Sequence, residues 1–350
     1  MHILVYGSGA VGGYLGGHLA AAGERVTLLA RPEAVARLRA QGLTLVGPGR
    51  EQRLHTQPQA AATLAEGLDS AENPPDLILL TMKAYAVAPA LVDLVAHLPV
   101  LPTLICFQNG IGVEEEVRTS LPTACVVAGS VTTPLRLNSD GSVVIEHAGR
   151  GLALAPTADA GDARPWVYLF RRAGLPTLAL PDYRALKWSK ALLNSLANAT
   201  SALLNWSPAQ VYGHAALFRL EMAMLREMLA VMDRLGLTVV NLPGAPAAHL
   251  ALAARLLPTA ALKPILTRLV GRGRGQKMPS FHLDLSIGRK FSEVVYHNGA
   301  AARNGQSLNL PTPVNRALAD LLMQAAQGDI PRDRFFNRPA ELLAAVAGYH

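Results

Sequence analysis

The sequence predicts two domains of different class, an α/β domain with a mostly parallel sheet at residues 1–181 and an all-helical domain at residues 182–350. Three observations predict this organisation. Strand and helix patterns alternate in the first half of the chain, and strand patterns nearly vanish after Pro181. In addition, a chain of 350 residues exceeds the ~250–300 residues at which a single hydrophobic core stops growing.

The first domain begins with short apolar runs that have the length of buried strands. They occupy residues 2–6, 26–30, 76–80 and 101–107. The helical patterns between them run from the first glycines to Ala22, over residues 32–40 and over residues 85–97. A small hairpin is predicted at residues 43–55. Residues 124–156 predict an antiparallel edge, because Asp140-Gly141 separates two apolar runs.

Amphipathic helix patterns fill the second domain. They cover residues 184–206, 215–236, 245–256, 280–304 and 312–327. The stretch Leu242–Pro279 is rich in proline and contains a Gly-Arg-Gly-Arg-Gly run at residues 271–275. This composition predicts short helices and a mobile loop. The sequence leaves open whether that loop covers a binding site or only decorates the surface.

The formal charge of +7 and the sequence pI near 9.6 favour anionic ligands, such as a nucleotide phosphate or a carboxylate, over a general surface charge. Nucleic-acid binding requires clustered basic residues with aromatic residues between them. The nearest candidate, Arg268–Lys277, is short and glycine-rich. We therefore expect no nucleic-acid partner.

Cys106 and Cys125 lie in apolar runs without the spacing of a metal site, so we expect reduced core thiols and no metal. No apolar stretch approaches the ~18 residues needed to cross a bilayer. The first residues carry no Lys or Arg before their apolar run, unlike a secretory leader. We expect a cytoplasmic protein without a membrane partner.

A Gly-x-Gly-x-x-Gly motif follows the first predicted strand and opens the first predicted helix, as in a Rossmann-type dinucleotide-binding domain. The first glycine permits the tight turn, the second lets the backbone approach a pyrophosphate, and the third permits close packing of helix on strand. The helix N-terminus would face the phosphates. The predicted cofactor-binding residues of this turn are Gly7, Ser8, Gly9, Ala10, Val11 and Gly12.

The end of the second predicted strand favours NADPH over NADH. NAD-binding domains place Asp or Glu there to hold the ribose 2′-hydroxyl, whereas this chain has Leu29-Ala30-Arg31-Pro32. Arg31 would offer a bidentate contact to a 2′-phosphate. The alternative is a surface arginine at a helix start.

Two further predicted strands end in polar residues. Lys83 follows the third strand, and Gln108-Asn109-Gly110 follows the fourth. Ligands of such sheets bind outside the carboxyl ends of the strands. We therefore expect Lys83 and Asn109 to contact the cofactor, although an Asn-Gly pair is also typical of a plain turn.

The predicted helix 184–206 carries Lys190, Asn194 and Asn198 at i, i+4 and i+8. On a continuous helix these three residues spread over about 80° of one face. A solvated stripe is the alternative, but asparagine is a poor helix former and such stripes usually contain Glu, Lys and Gln. A lysine with two amides suits hydrogen bonding to a carbonyl, a carboxylate and a hydroxyl.

Together these residues resemble the ketopantoate reductase (2-dehydropantoate 2-reductase) family over essentially the whole chain. The resemblance rests on the glycine motif with its later arginine, the TMKAY and QNGIG strand ends and the W-x-K-x-x-x-N-x-x-x-N helix. It also rests on the late segments KMPSFHLDLSIGRKFSEVVYHNG and LPTPVNRAL. Two departures are an interval between Asp284 and Glu293 that is one residue longer than in the family, and the long Leu242–Pro279 stretch.

The resemblance implies a role for each matching residue. Lys190 matches the catalytic lysine and Glu293 the active-site glutamate. Substrate-binding positions are matched by Asn109, Asn194, Asn198 and Ser280, with Ser280 on the substrate carboxylate. Asn109 and Lys83 also match residues at the nicotinamide and ribose end of the cofactor. The alternative for Glu293 is a surface helix acid.

The implied activity is the NADPH-dependent reduction of 2-dehydropantoate (ketopantoate) to pantoate, an oxidoreductase step of pantothenate (vitamin B5) biosynthesis on the way to coenzyme A. Hydride goes to the C2 carbonyl, and Lys190, whose ordinary pKa is ~10.4, acts as the general acid. The alternatives are a reductase of another 2-oxo acid and a non-catalytic NADPH-binding regulator. A polyol-phosphate or hydroxyacyl dehydrogenase is a third alternative. Its chemistry requires a His–Glu pair or a lysine motif placed differently, and this chain has no matching histidine. The oligomeric state stays open, with a homodimer among the options.

Overall fold

The computed structural model describes residues 1–49, 52–68, 74–157, 162–273 and 277–349, without the side chains of residues 269 and 271–273. The chain divides into two compact units. Unit 1 comprises Met1–Lys187 and the short return Leu242–Ala245, and unit 2 comprises Trp188–Asn241 and Pro246–His350. Within unit 1 the return is held by the Thr132 hydroxyl, which donates to the carbonyl oxygen of Pro243 at 2.7 Å.

Unit 1 contains the strands. They are β1 (His2–Tyr6), β2 (Arg25–Leu29), β3 (Leu43–Val46), β4 (Arg53–Thr56), β5 (Gln59–Ala61), β6 (Leu77–Leu80), β7 (Thr103–Cys106), β8 (Val126–Val131), β9 (Leu135–Leu137), β10 (Val143–Ile145), β11 (Leu152–Pro156) and β12 (Thr177–Ala179). Its helices are α1 (Ala10–Ala21), α2 (Pro32–Gln41), α3 (Leu64–Gly67), α4 (Val87–His97), α5 (Val113–Ser120), α6 (Arg164–Arg172) and the first residues of α7 (Tyr183–Ser195), with a 3-10 turn at Ala84–Ala86.

The larger sheet of unit 1 has the order β12-β11-β8-β7-β6-β1-β2-β5. The six strands from β8 to β5 are parallel, and β11 runs antiparallel to β8. The predicted mostly parallel sheet is therefore confirmed. The chain leaves β1 for β2 on one side and returns to β6 on the other, which makes the β1–β6 boundary a topological switch point, where such sheets bind ligands.

A second sheet of unit 1 has the order β4-β3-β10-β9. Its β3–β4 and β9–β10 pairs are antiparallel, as predicted for residues 43–55 and for part of residues 124–156. The hydrophobic core lies between α1, the central strands and α6. Among its fully buried side chains are Ile3, Leu15, Leu28 and Phe170.

The described residues of unit 2 form helices and connecting loops, without a strand. After the rest of α7 it contains α8 (Asn198–Leu204), α9 (Pro208–Gly213), α10 (Ala215–Arg234), α11 (Ala247–Leu256), α12 (Thr259–Gly273), α13 (Ser280–Ser286), a 3-10 turn at Glu293–Tyr296, α14 (Asn298–Ser307), α15 (Pro313–Gln327) and α16 (Pro339–Ala347). The long helix α10 holds the start of α15 through Glu227, whose carboxylate accepts from the backbone N–H groups of Val314 and Asn315 at 3.0 and 2.9 Å.

Two predicted helices are wrong in their continuity. The predicted helix 184–206 is interrupted after Ser195, because Ala197 adopts a left-handed backbone conformation with φ +53°. The predicted helix 280–304 is divided into α13, the 3-10 turn and α14. Hydrophobic periodicity continues across both interruptions, so it did not reveal them.

The proline-rich stretch forms α11 and α12, with Pro264 inside α12. Residues 274–276 of the predicted mobile loop lie outside the described residues. No helix in the described ranges has the length and apolar character to cross a membrane.

Candidate active site

The carboxyl ends of four neighbouring strands line up at one edge of the larger sheet. Tyr6 at the end of β1 pairs with Leu29 of β2 and with Leu80 of β6, and Leu80 pairs with Cys106 of β7. The residues that follow these four ends therefore lie along one edge of unit 1. They are the glycine turn from Gly7, Arg31, Lys83 and Asn109.

The glycine turn has no room for a side chain at its closing position. Gly7 has φ +108°, a conformation that L-residues rarely adopt. A Cβ atom at Gly12 would lie 1.9 Å from the carbonyl oxygen of Gly7. The same oxygen accepts a hydrogen bond from the Thr81 hydroxyl at 2.6 Å, which fixes the turn to the end of β6. Thr81 was not among the predicted residues.

The middle of the turn, in contrast, is open. Gly9 is exposed, and a Cβ atom built on it has no described atom within 4 Å. Gly9 is the N-cap of α1 without a side-chain cap, and Ser8, Ala10 and Val11 are half-buried beside it. The first N–H groups of a helix lack intrahelical partners and attract anions. The open space and these donors fit a dinucleotide pyrophosphate.

Arg31 occupies the N-cap position of α2, followed by Pro32 at the first helical position. Its side chain makes no capping hydrogen bond, and it forms no ion pair within the described part of the chain. The guanidinium is exposed at the end of β2, and no carboxylate lies between Leu29 and Pro32. A guanidinium at this position has the chemistry to bind an anionic group.

Lys83 and Asn109 lie at the ends of β6 and β7. Lys83 is the half-buried N-cap of the Ala84–Ala86 turn, and Asn109 is exposed. Between them, Gln108 is buried and its amide donates to the carbonyl oxygen of Met82 at 3.3 Å. Gln108 therefore joins the two strand ends and leaves its exposed neighbour Asn109 on the surface of the edge.

In unit 2, Lys190 and Asn194 lie one turn apart in α7 and are both half-buried, but Asn198 lies beyond the interruption. The three residues therefore do not share the face of one continuous helix, and that prediction is wrong. Asn198 is instead the buried first residue of α8.

The interruption is held by Glu221 of α10, a fully buried residue. One oxygen of its carboxylate accepts from the backbone N–H of Ala197 at 2.7 Å, and the other accepts from the Thr200 hydroxyl at 2.5 Å. Glu221 was not among the predicted residues. Its only sequence signal is an acidic residue at a core position of an apolar helix.

The Asn198 side chain joins α8 to α13. Its amide nitrogen donates to the carbonyl oxygen of Asn194 at 3.1 Å and lies 3.4 Å from the Ser280 hydroxyl. Its amide oxygen accepts from the backbone N–H of Phe281 at 3.2 Å. The structure therefore brings together Asn194, Asn198 and Ser280. Asn198 and Ser280 are 82 residues apart in the sequence.

Glu293 is buried at the start of its 3-10 turn, where the Ser292 hydroxyl caps the backbone N–H of Val294 at 3.3 Å. This burial excludes the alternative of a surface helix acid. All three residues of the neighbouring His-Asn-Gly segment are buried as well, and the Asn298 amide donates to Asn315 at 3.0 Å. No cluster of His, Cys, Asp or Glu suited to a metal ion occurs among the described side chains.

Two family models match the chain. The model of ketopantoate reductase PanE/ApbA matches residues 3–156, and that of the ketopantoate reductase PanE/ApbA C terminal matches residues 182–326. A 2-dehydropantoate 2-reductase from Pyrococcus abyssi is 26% identical over 92% of this chain and 97% of its own length. One from Pyrococcus horikoshii is 33% identical over 58% of this chain, and the alignment spans 64% of that relative.

Solved structures share the fold along nearly the whole chain. A PanE/ApbA family ketopantoate reductase from Ralstonia eutropha JMP134 has a TM-score of 0.75 at 26% identity, covering 94% of this chain and 99% of its own. A D-mandelate dehydrogenase with NADH and anilino(oxo)acetate has a TM-score of 0.76 at 21% identity, with the same coverage. That second likeness concerns the fold alone. Because the two family models together match most of the chain in the order of its two units, this chain belongs to the ketopantoate reductase PanE/ApbA family.

Proposed function

We propose that this chain is an oxidoreductase that uses NADPH to reduce 2-dehydropantoate to pantoate in pantothenate biosynthesis. The observation that carries the proposal is the carboxyl edge of unit 1, where the open turn at Gly9 and the exposed Arg31 follow neighbouring strand ends. The choice of substrate follows the names of the relatives that match this chain over nearly their whole length, which are 2-dehydropantoate 2-reductases.

The preference for NADPH rests on Arg31. A planar guanidinium can bind a 2′-phosphate through two charge-assisted hydrogen bonds, whereas a ribose hydroxyl calls for a carboxylate. The fold alone does not decide this point, because the D-mandelate dehydrogenase of the same fold is described with NADH. Lys83 and Asn109 are proposed to contact the ribose and nicotinamide end, and Asn109 also the substrate.

The proposed chemistry assigns a task to each predicted site residue of unit 2. A bound reduced nicotinamide would supply the hydride. The Lys190 ammonium stabilises the negative charge that develops on the C2 oxygen and donates the proton that completes the hydroxyl. A preorganised donor of this kind is worth most where water is excluded, and Lys190 is half-buried.

The polar group around Asn198 suits a carboxylate and a hydroxyl. Asn194, Asn198 and Ser280 present amide and hydroxyl groups from three helical segments held together by hydrogen bonds. We propose that they orient the substrate, with Ser280 on its carboxylate. Glu293 is proposed to position Lys190 or the substrate hydroxyl, since a buried carboxylate accepts hydrogen bonds strongly.

The test is nicotinamide oxidation by the purified protein with NADPH and with NADH, each against ketopantoate, pyruvate, 2-oxoisovalerate and phenylglyoxylate. We expect kcat/KM to be highest for NADPH with ketopantoate. Tight NADPH binding without turnover of any 2-oxo acid would contradict the reductase function. It would favour a non-catalytic regulator, which the retention of Lys190 and both asparagines argues against.

A reductase of another 2-oxo acid is the second candidate, because one fold and one cofactor edge serve many substrates. The long stretch that forms α11 and α12 is the observation in its favour. Selective turnover of phenylglyoxylate or 2-oxoisovalerate in the same panel would replace ketopantoate as the substrate and leave the cofactor assignment in place.

A further inference from the structure

Lys187 is a buried lysine of unit 1 that the proposed chemistry does not use. Its side chain is 3% exposed and lies in α7, three residues before Lys190. Its ammonium donates to the carbonyl oxygens of Cys106 at 3.1 Å and Gln108 at 2.8 Å, and it lies 2.7 Å from Oε1 of Glu114. Two of the three N–H donors of the ammonium are therefore directed at backbone carbonyls, and the carboxylate lies within ion-pair distance.

This arrangement excludes Lys187 as the proton donor. Its ammonium donates to two backbone carbonyls of unit 1 and is paired with a buried carboxylate, and its side chain is nearly inaccessible to solvent. Lys190 is more exposed and is the lysine that the family resemblance selects. The charge of Lys187 therefore requires a different explanation.

The partners of Lys187 enclose one loop. Cys106 ends β7, Gln108 follows it, and Glu114 lies in the first turn of α5. The loop between them contains Gly110 and Gly112, with φ +100° and +103°. Glycines in these conformations are readily accommodated but lower the stiffness of a loop. Lys187 thus contacts both ends of a loop whose middle contains two glycines with positive φ.

The exposed residue of this loop is Asn109. Its neighbours Gln108, Gly110 and Ile111 are buried, so the loop is anchored on both sides of Asn109. A second contact joins the same elements, because the Tyr183 hydroxyl donates to Glu115 of α5 at 3.1 Å. The orientation of Asn109 therefore depends on how firmly α5 and the end of β7 are held to the start of α7.

Stability does not explain the pair. Burial raises the pKa of the Glu114 carboxyl, and the neighbouring Lys187 ammonium opposes this effect only in part. Removing two charges from water is costly, and apolar residues of similar volume often stabilise a protein as well or better. What apolar residues cannot supply is the set of directed contacts to Cys106, Gln108 and Glu114.

We propose that Lys187 and Glu114 are positioning residues that hold the 108–112 loop so that Asn109 is presented in its working orientation. The task of Asn109 in this inference rests on the proposed function. The anchoring of the 108–112 loop by Lys187 and Glu114 does not. Neither residue touches substrate or cofactor in this proposal. Both act through Asn109.

The first test needs no activity. Lys187→Met combined with Glu114→Leu replaces the pair by apolar residues of similar size, so no uncompensated charge is left buried. We expect hydrogen–deuterium exchange to become faster selectively in peptides covering residues 107–117. Unchanged exchange there would overturn the proposal. Equally faster exchange in β1, β6 and β7 would also overturn it, because it would mark a general loss of stability.

The second test is kinetic. We expect the double variant to lower kcat by about 10²-fold, the effect of misplacing a contact by roughly 1 Å, while the Kd for NADPH stays within about twofold. In an Asn109→Ala background the same double substitution should cost little more, because its effect acts through Asn109. If the loss of kcat from the double substitution multiplied the loss from Asn109→Ala, the proposal would be overturned.

The matched control is the exposed pair Arg255–Asp233 of unit 2, with 2.5 Å between nitrogen and oxygen. Arg255→Met with Asp233→Leu should change neither the exchange nor kcat. If the parent chain binds NADPH but reduces no 2-oxo acid, the proposed function fails. The exchange experiment still tests whether Lys187 and Glu114 anchor the 108–112 loop.

Discussion

The two units hold their predicted residues in different ways. In unit 1 the glycine turn, Arg31, Lys83 and Asn109 follow the ends of parallel strands, and backbone pairing of those strands sets their positions. In unit 2, Asn194, Asn198 and Ser280 belong to three helical segments that meet through side-chain hydrogen bonds and a helix interruption held by Glu221. A local pattern suffices to find residues of the first kind, whereas the second kind depends on contacts distant in sequence.

The largest expected effect concerns Lys190 in unit 2. Lys190→Ala should lower kcat by ~10²–10⁴-fold, the usual contribution of a positioned general acid. Steady-state kinetics with NADPH and ketopantoate measure this loss, and NADPH binding should be nearly unchanged. Arg234→Ala, an exposed basic residue of α10, is the control. Near-normal turnover by the Lys190→Ala variant would contradict the role of Lys190 as the general acid.

The interruption between α7 and α8 should depend on Glu221. Glu221→Leu leaves the Ala197 N–H and the Thr200 hydroxyl buried without an acceptor, and we expect the free energy of unfolding to fall by about 3 kcal/mol. Glu221→Gln keeps an amide oxygen in place and should lose less. Urea unfolding compares the two variants. Equal losses in the two variants would contradict a role for the side-chain oxygens as acceptors.

In unit 1 the glycine turn offers a matched pair of substitutions. Gly12→Ala collides with the Gly7 carbonyl, so it should lower stability by about 1–3 kcal/mol and weaken NADPH binding. Gly9→Ala meets no described atom at φ −70°, so the free protein should keep its melting temperature. Its Kd for NADPH should rise by roughly ten- to hundredfold because the methyl group occupies the cofactor's space. Calorimetry and fluorescence titration separate the two effects.

Arg31 should affect one cofactor only. Arg31→Ala should raise the KM for NADPH by roughly tenfold, as expected for a lost hydrogen bond to a charged group, and leave the KM for NADH nearly unchanged. Equal losses with both cofactors would argue against a 2′-phosphate contact. The exposed side chain makes a loss of stability too small to explain the result.

The smallest expected effect is a pH dependence within the core of unit 1. Burial lowers the pKa of His18 below its ordinary value of 6.5, and the contact of its Nδ1 with the Ala173 carbonyl at 3.1 Å opposes this only in part. The folded state therefore favours neutral His18. The resulting stability is fully present above the unfolded pKa and is lost as the pH falls through the lower folded pKa. Thermal unfolding between pH 7 and pH 5 should show a smaller decline in His18→Gln.

Sequence patterns predicted the α/β unit followed by the helical unit, because the periods of strands and helices differ and glycine marks the tight turn. They also predicted which residues end the strands, since the chemistry changes abruptly there from apolar to polar. Thr81 escaped notice because a threonine after a strand has no distinctive pattern, although its hydroxyl fixes the Gly7 carbonyl.

The sequence by itself determined the strand ends, the glycine turn and the types of residue that are proposed to bind a cofactor and a 2-oxo acid. Only the tertiary structure decided that α7 stops at Ser195, that Asn198 joins Ser280, and that Lys187 is paired with Glu114. The physical reason is that period and propensity act over neighbouring residues. A left-handed Ala197 or a buried charge is stabilised only by partners such as Glu221 and Glu114, which folding brings from distant parts of the chain.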